Sequence, residues 1–263
     1  MKEEKKSSGM PVALIVGVLV LVVIGAFVLY RSSATPPANK QAQANGTPVP
    51  RPTMNTANAP AGATPPNAVG APTALVVVEE FADFQCGSCA ASYPVLKDVL
   101  KAYSGNPNFR FVYRNFPLQM HDKAYDAAVA AEAAGLQNSA KFWLMQEQLF
   151  TNQATWSVNP NYRDIFAEYA QKIGLDVEKF KADVSGMQAK MRVDQDMARG
   201  KALAISSTPT VIVNNKPVPY AEVTVAGMKR IIDAEMQAAV APQQAAQQPA
   251  PVSATANSSN GSK

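Results

Sequence analysis

The stretch Glu79–Leu96, EEFADFQCGSCAASYPVL, holds the only two cysteines of a 263-residue chain, Cys86 and Cys89, separated by Gly87 and Ser88. It starts at the end of a β-branched run, Ala74–Phe81 (ALVVVEEF), that is too short for a helix. Its nearly continuous apolar character predicts a central strand covered on both faces. Beyond the cysteines, Val95, Leu96, Val99, Leu100 and Tyr103 recur at helical spacing, and Pro94 is expected to kink the helix one to two turns in. The stretch therefore reads as strand, turn and helix, with Cys86 at or near the helix N-terminus.

Working outward, Phe109–Phe116 (FRFVYRNF) alternates apolar and polar residues and predicts a second strand. From His121 to about Leu203 the pattern is helical. Lys123–Leu136 is alanine-rich, while Ser139–Thr151 and Tyr162–Ile173 carry apolar stripes, and one or two more helices are expected before residue 203. Thr210–Val213 and Lys216–Val218 flank Asn214-Asn215, residues that tolerate the left-handed backbone of a tight hairpin. A helix from Val223 to Met236 closes the domain. Apart from the helical block, this order predicts an α/β sheet with helices on both faces.

The meaning of a cysteine pair depends on compartment, and the N-terminus speaks to that. Residues 10–30, MPVALIVGVLVLVVIGAFVLY, carry no charge, and 21 residues at 1.5 Å each suffice to cross a hydrocarbon layer of about 30 Å. Lys2, Lys5 and Lys6 precede them, so residues 1–9 are expected in the cytoplasm and the chain beyond residue 30 outside it. The alternative is a cleaved signal peptide, since Ser32 and Ala34 form an acceptable cleavage site. Both readings export the domain. Residues 31–72 are rich in Pro, Ala, Asn and Thr and predict a disordered linker; residues 238–263 have the same bias and predict a disordered tail. A single domain remains, about 73–237, long enough for one core. Residues 73–236 contain 17 Lys and Arg against 18 Asp and Glu, so the net charge of +4 arises outside the domain and is no nucleic-acid signal.

Two cysteines at i and i+3 in a first helical turn face one side, close enough to form and break a short-loop disulfide. A thiolate at Cys86 would meet the unpaired N–H groups and positive end of the helix, which lower its pKa and make it the nucleophile at neutral pH. Cys89, one turn inside, would resolve a mixed disulfide. A purely structural disulfide gains little from so short a loop. A zinc site needs about four ligands, and the chain offers two cysteines and His121, its one histidine.

The segment VVVEEFADFQCGSCAASYPVL, with RNFPL at Arg114–Leu118 and STPTVIVNNKPV at Ser207–Val218, resembles the thioredoxin-fold proteins of the DsbA-like thiol-disulfide oxidoreductase family. The likeness covers nearly all of residues 73–237. It implies a thioredoxin fold split by a helical insertion, matching residues 121–203. It also implies that Cys86 attacks, that Cys89 resolves, and that Thr208-Pro209 form a facing loop with a cis peptide that binds an extended substrate segment. Glu80 stands where related folds place a buried acid beneath the resolving cysteine, able to accept its proton; the plainer reading sends Glu79 or Glu80 to solvent. Gly87-Ser88 replace the Pro-His of the family's strongest oxidants, so the couple is expected to be less oxidising.

His121 reads as a helix-start or core contact, and Trp143, Trp156, Phe142 and Phe150 as core aromatics. Met187, Met191 and Met197 read as packing of the helical block, or as an adaptable surface if they lie near a cleft. No cofactor motif, metal cage or nucleic-acid partner is indicated. Three functions follow: an envelope oxidant of exported proteins with cysteines, recycled by a membrane or envelope redox partner; a reductase or isomerase; or a tethered chaperone whose CxxC is incidental.

Overall fold

The computed structural model describes residues 52–247. The expected cytoplasmic N-terminus and membrane span, the signal-peptide alternative, residues 31–51 of the linker and 248–263 of the tail all lie outside the described residues. Among the described residues, no helix is long and apolar enough to cross a membrane.

Five strands form one mixed sheet in the order β1-β3-β2-β4-β5: β1 (Asn67–Gly70), β2 (Val76–Ala82), β3 (Phe109–Asn115), β4 (Thr210–Val213) and β5 (Lys216–Val218). β2 runs parallel to β3, from Val76 opposite Phe109 to Ala82 opposite Asn115, and antiparallel to β4. The parallel pair requires a crossover, which helix α1 (Gly87–Ala102) supplies. Pro94 lies inside α1 without ending it. The β4–β5 hairpin turns on Asn214 and Asn215, with φ of 47° and 64°, as their side chains allow.

Strand alternation divides β2 between two cores. Val76, Val78 and Ala82 join the main core with Leu96 and Val99 of α1, Phe109, Phe111 and Tyr113 of β3, and Met228 and Ile232 of the last helix, α8 (Val225–Gln247). Phe81 instead packs with Phe116, Leu203 and Ile212 on the other face. The helical insertion comprises α2 (Ala124–Gln137), α3 (Ser139–Thr151), the short α4 (Gln153–Trp156), α5 (Tyr162–Lys172), α6 (Val177–Ser185) and α7 (Met187–Ala202). Its aromatics meet the main core: Phe150 lies 4.8 Å from Phe84, and Phe142 lies 5.6 Å from Tyr113, between ring centroids.

Three expectations are corrected. The disordered linker does not extend to residue 72: Asn67–Gly70 pair with β3 as an edge strand, and the residues before them lie against the second face. Met54 and Ala59 pack on that face's cluster, and Ala63 is buried. Composition hid this because the segment contributes mostly backbone. Ala63 N–H donates to Asp196 (2.9 Å), Arg114 donates to the Ala63 carbonyl (3.3 Å), and Arg199 donates to the Pro60 carbonyl (2.9 Å). Second, the tail does not begin at 238, because α8 continues to Gln247. Third, Met187 and Met191 do not pack the helical block: they are 71% and 50% exposed, one turn apart, beside a groove also lined by Pro65 and Leu136. Met197 does pack against the core.

Candidate active site

β2 ends at Ala82, and after a three-residue turn Cys86 becomes the N-cap of α1, with φ −74° and ψ 121°. Its carbonyl accepts the first intrahelical bond, from Ala90 N–H at 3.1 Å. Its side chain therefore stands beside N–H groups that have no partner within the helix. Both cysteines are free thiols. Cys86 is 8% exposed and Cys89 fully buried.

The two sulfurs experience opposite fields. Cys86 is lowered to about 5: the Cys89 thiol makes the largest contribution, burial opposes it, and the Thr208 hydroxyl and the backbone N–H groups of Cys89 and Ser88 add to it. As a thiol, Cys86 donates to the Thr208 carbonyl at 3.4 Å. The Thr208 hydroxyl is buried with no partner other than the Cys86 sulfur, and the Thr208-Pro209 peptide is cis. Burial, followed by its role as donor to Cys86, pushes Cys89 far above the ordinary thiol range. Asp83 N–H lies 3.5 Å from Cys89 Sγ.

Glu80 faces the main core, 4% exposed, and burial raises it to about 8. Its charge also raises Cys89. A groove of about 340 Å³ between α1 and α3, lined by Leu96, Leu100, Phe111 and Trp143, reaches it. Neither glutamate points to solvent. Glu79 lies on the opposite face, where Arg114 and Arg199 each donate to its carboxylate at 2.7 Å, and Arg114 also bonds Asp196 at 3.0 Å. Burial works to raise Glu79, yet the two guanidinium groups leave it below its ordinary value. Thus Cys86, Cys89, Glu80, Thr208 and Pro209 converge, while Gly87 and Ser88 form the exposed surface between the sulfurs.

Sequence reasoning missed the residues that brace the turn. Asp83 Oδ1 accepts from Gln85 N–H (2.7 Å), and Oδ2 accepts from Leu118 N–H (2.8 Å) and lies 2.7 Å from His121 Nδ1. His121 is therefore a contact of the site's own loop just before α2. Gln85 bonds Asp122 and Lys123 N–H, and Gln153 of α4 donates to the carbonyls of Phe84 and Cys86. Position three residues before Cys86 was the one available signal for Asp83; Gln153 had none. Among the described residues, no group of three or more His, Cys, Asp or Glu is placed to hold a metal ion.

A capping thiol of low pKa, backed by a buried partner beside a split β-α-β unit, is an arrangement suited to thiol-disulfide exchange on a thioredoxin architecture. The family model described as Thioredoxin matches residues 63–234, and the chain belongs to the thioredoxin family. It is 30% identical over 174 residues to the probable disulfide bond formation protein D of Bacillus cereus, covering 64% of this chain and 78% of that one. It is also 37% identical over 150 residues to the Na(+)/H(+) antiporter NhaA 1 of Mycolicibacterium gilvum, over 56% of this chain but 23% of the antiporter. The chain thus spans under a quarter of the length of that relative. Among solved structures, oxidised BdbD from Bacillus subtilis shares the fold, with TM-score 0.58, 23% identity, and coverage of 68% of this chain and 98% of that one. The α-DsbA1 of Wolbachia pipientis does so with TM-score 0.57, 15% identity, and coverage of 68% and 94%.

Proposed function

We propose that the chain is a membrane-anchored, extracytoplasmic thiol-disulfide oxidoreductase that exchanges disulfides with cysteine-containing exported proteins through Cys86-Gly87-Ser88-Cys89. The observation carrying this reading is the inequality of the two thiols: Cys86, at the mouth of α1 beneath exposed Gly87 and Ser88, is lowered enough to ionise at neutral pH, while Cys89 is fully buried and protonated. The apolar, uncharged residues 10–30 support the anchor.

In the oxidising direction, a client thiolate attacks Cys86 Sγ of the Cys86–Cys89 disulfide. That bond breaks, its electron pair leaves on Cys89, and Cys89 takes a proton from Glu80, which is mostly protonated at pH 7. The client's second thiolate then attacks the client sulfur in the mixed disulfide and expels Cys86 as a thiolate, a good leaving group because its pKa is low. The client loses two electrons and the protein gains them. A membrane or envelope redox partner removes them again, and no cofactor is required. Thr208 and Pro209 border the Cys86 sulfur and form the surface on which an extended client segment lies.

The test is to express the full chain with Cys89→Ala and resolve mixed disulfides without reductant. Exported proteins linked through Cys86, and lost in Cys86→Ala, are expected. Absence of adducts, or adducts confined to cytosolic proteins, would overturn the proposal. The reduction potential separates net oxidation from reduction: a value near that of thioredoxin, about −270 mV, would favour the reductase reading.

A further inference from the structure

We propose that Gln153, the first residue of α4, is a positioning residue that fixes the Cys86 sulfur in its thiolate-stabilising seat. This rests on the reading of Cys86 as the attacking thiol. The Gln153 carboxamide donates to the Phe84 carbonyl at 2.7 Å and to the Cys86 carbonyl at 2.9 Å, so one NH2 group uses both hydrogens on the redox turn. Two carbonyl oxygens that converge on one nitrogen present like partial charges to each other, an arrangement favourable only with a donor between them. One bond holds the Phe84–Gln85 peptide plane and the other the Cys86–Gly87 plane, so together they span the Gln85-Cys86 step and restrain the extended ψ of 121° at Cys86. That conformation is what leaves the side chain facing the N–H groups of Ser88 and Cys89 rather than solvent.

The seat of Gln153 is itself rigid. Asn152 donates to the Gln148 carbonyl at 2.8 Å, and Trp156, fully buried, donates its indole N–H to the Leu149 carbonyl at 2.7 Å. α4 is thus pinned to the end of α3. On the other side of the turn, the side chains of Asp83 and Gln85 tie it to residues 118–123, but none of those bonds engages the peptide of Cys86. Gln153 is the contact by which the helical insertion acts on the reacting residue itself.

The test uses Gln153→Met, which keeps length and removes both donors without adding charge, and Gln153→Asn, which withdraws the donor by one methylene. Both are read by titration of the Cys86 thiolate in the reduced protein and by the equilibrium with glutathione. Each variant is expected to raise the titration midpoint, leaving three- to tenfold less thiolate at pH values below the parent's midpoint. The glutathione equilibrium should move three- to tenfold toward the oxidised protein, or about 15–30 mV more negative. Gln153→Asn at this half-exposed position carries the same expectation should Gln153→Met not fold. If thermal stability falls while midpoint and equilibrium stay within twofold of the parent, Gln153 is a structural brace and the proposal is overturned. If the parent's own midpoint lies in the ordinary thiol range, it is the reading of Cys86 that fails.

Discussion

The pH dependence of Cys86 reactivity can be worked out in some detail. With a pKa of about 5, Cys86 is about 99% thiolate at pH 7, against about 3% for a free cysteine of pKa 8.5. That is about a thirtyfold advantage in thiolate concentration. Intrinsic nucleophilicity, however, falls with pKa at a Brønsted slope of about 0.4–0.5, so a thiolate 3.5 units less basic is about 25- to 55-fold less reactive. At pH 7 the two effects nearly cancel, and the reduced protein should react with an excess of an aromatic disulfide reagent about as fast as free cysteine does. At pH 5.5 Cys86 stays about three-quarters ionised while free cysteine falls to about 0.1%, and the protein should be about tenfold or more faster. The assay follows the coloured thiol released over a range of pH, with free cysteine alongside. Release of the first coloured thiol is expected to follow Cys86 with a midpoint near 5, and a second follows only as Cys89, protonated until then by burial, resolves the Cys86 adduct. A midpoint at or above 8, or two equivalent thiols, would refute the assignment of distinct roles to Cys86 and Cys89.

Other consequences can be checked on the same protein. Glu80 has a folded pKa raised to about 8, so the native state holds a proton that the unfolded chain releases, and stability falls as pH rises from about 4.5 to 8. Glu80→Gln removes that loss and should stabilise the protein at pH 8 by about 3–5 kcal/mol in denaturant melts, while slowing release of mixed disulfides. Replacing Arg114 by Met leaves Glu79 and Asp196 buried with fewer partners and should cost about 3–5 kcal/mol, seen as a lower urea midpoint. Deleting residues 52–66, expected to be harmless if they were only a tether, should cost at least about 2 kcal/mol and lower Tm by about 4–8 °C. An unchanged Tm would contradict the docking described for that segment.

Legibility in the sequence followed how locally each feature is encoded. The central strand, the helix behind the cysteines and the Asn214-Asn215 hairpin were readable because β-branched runs, i to i+4 spacing and left-handed turn residues act within a few positions. The same holds for Cys86 at a helix start. Glu80 was readable only as one of two neighbours, because alternation says that Glu79 and Glu80 oppose each other but not that both faces are covered. α7 and residues 54–63 cover the second face, and a segment of Pro, Ala and Thr carries no pattern announcing it. Gln153 was invisible for a related reason: it satisfies two carbonyls 67 and 69 residues away, and nothing in its own neighbourhood records them.

The docking of residues 60–65 through main-chain atoms bears on how such a chain diverges. Arg114, Arg192 and Arg199 recognise carbonyls of Ala63, Pro65 and Pro60, which every amino acid possesses, so side chains there can drift with little penalty while the arginines and acids beneath cannot change singly. Gly62 and Ala63 are the exceptions: Gly62 has φ +80° and a Cβ there would come within 2.6 Å of Arg114 Nη1, while the Ala63 side chain is buried. Among distant relatives, the strap should therefore vary around a fixed glycine and a small buried neighbour while keeping its length, because an insertion or deletion would shift every carbonyl off its guanidinium.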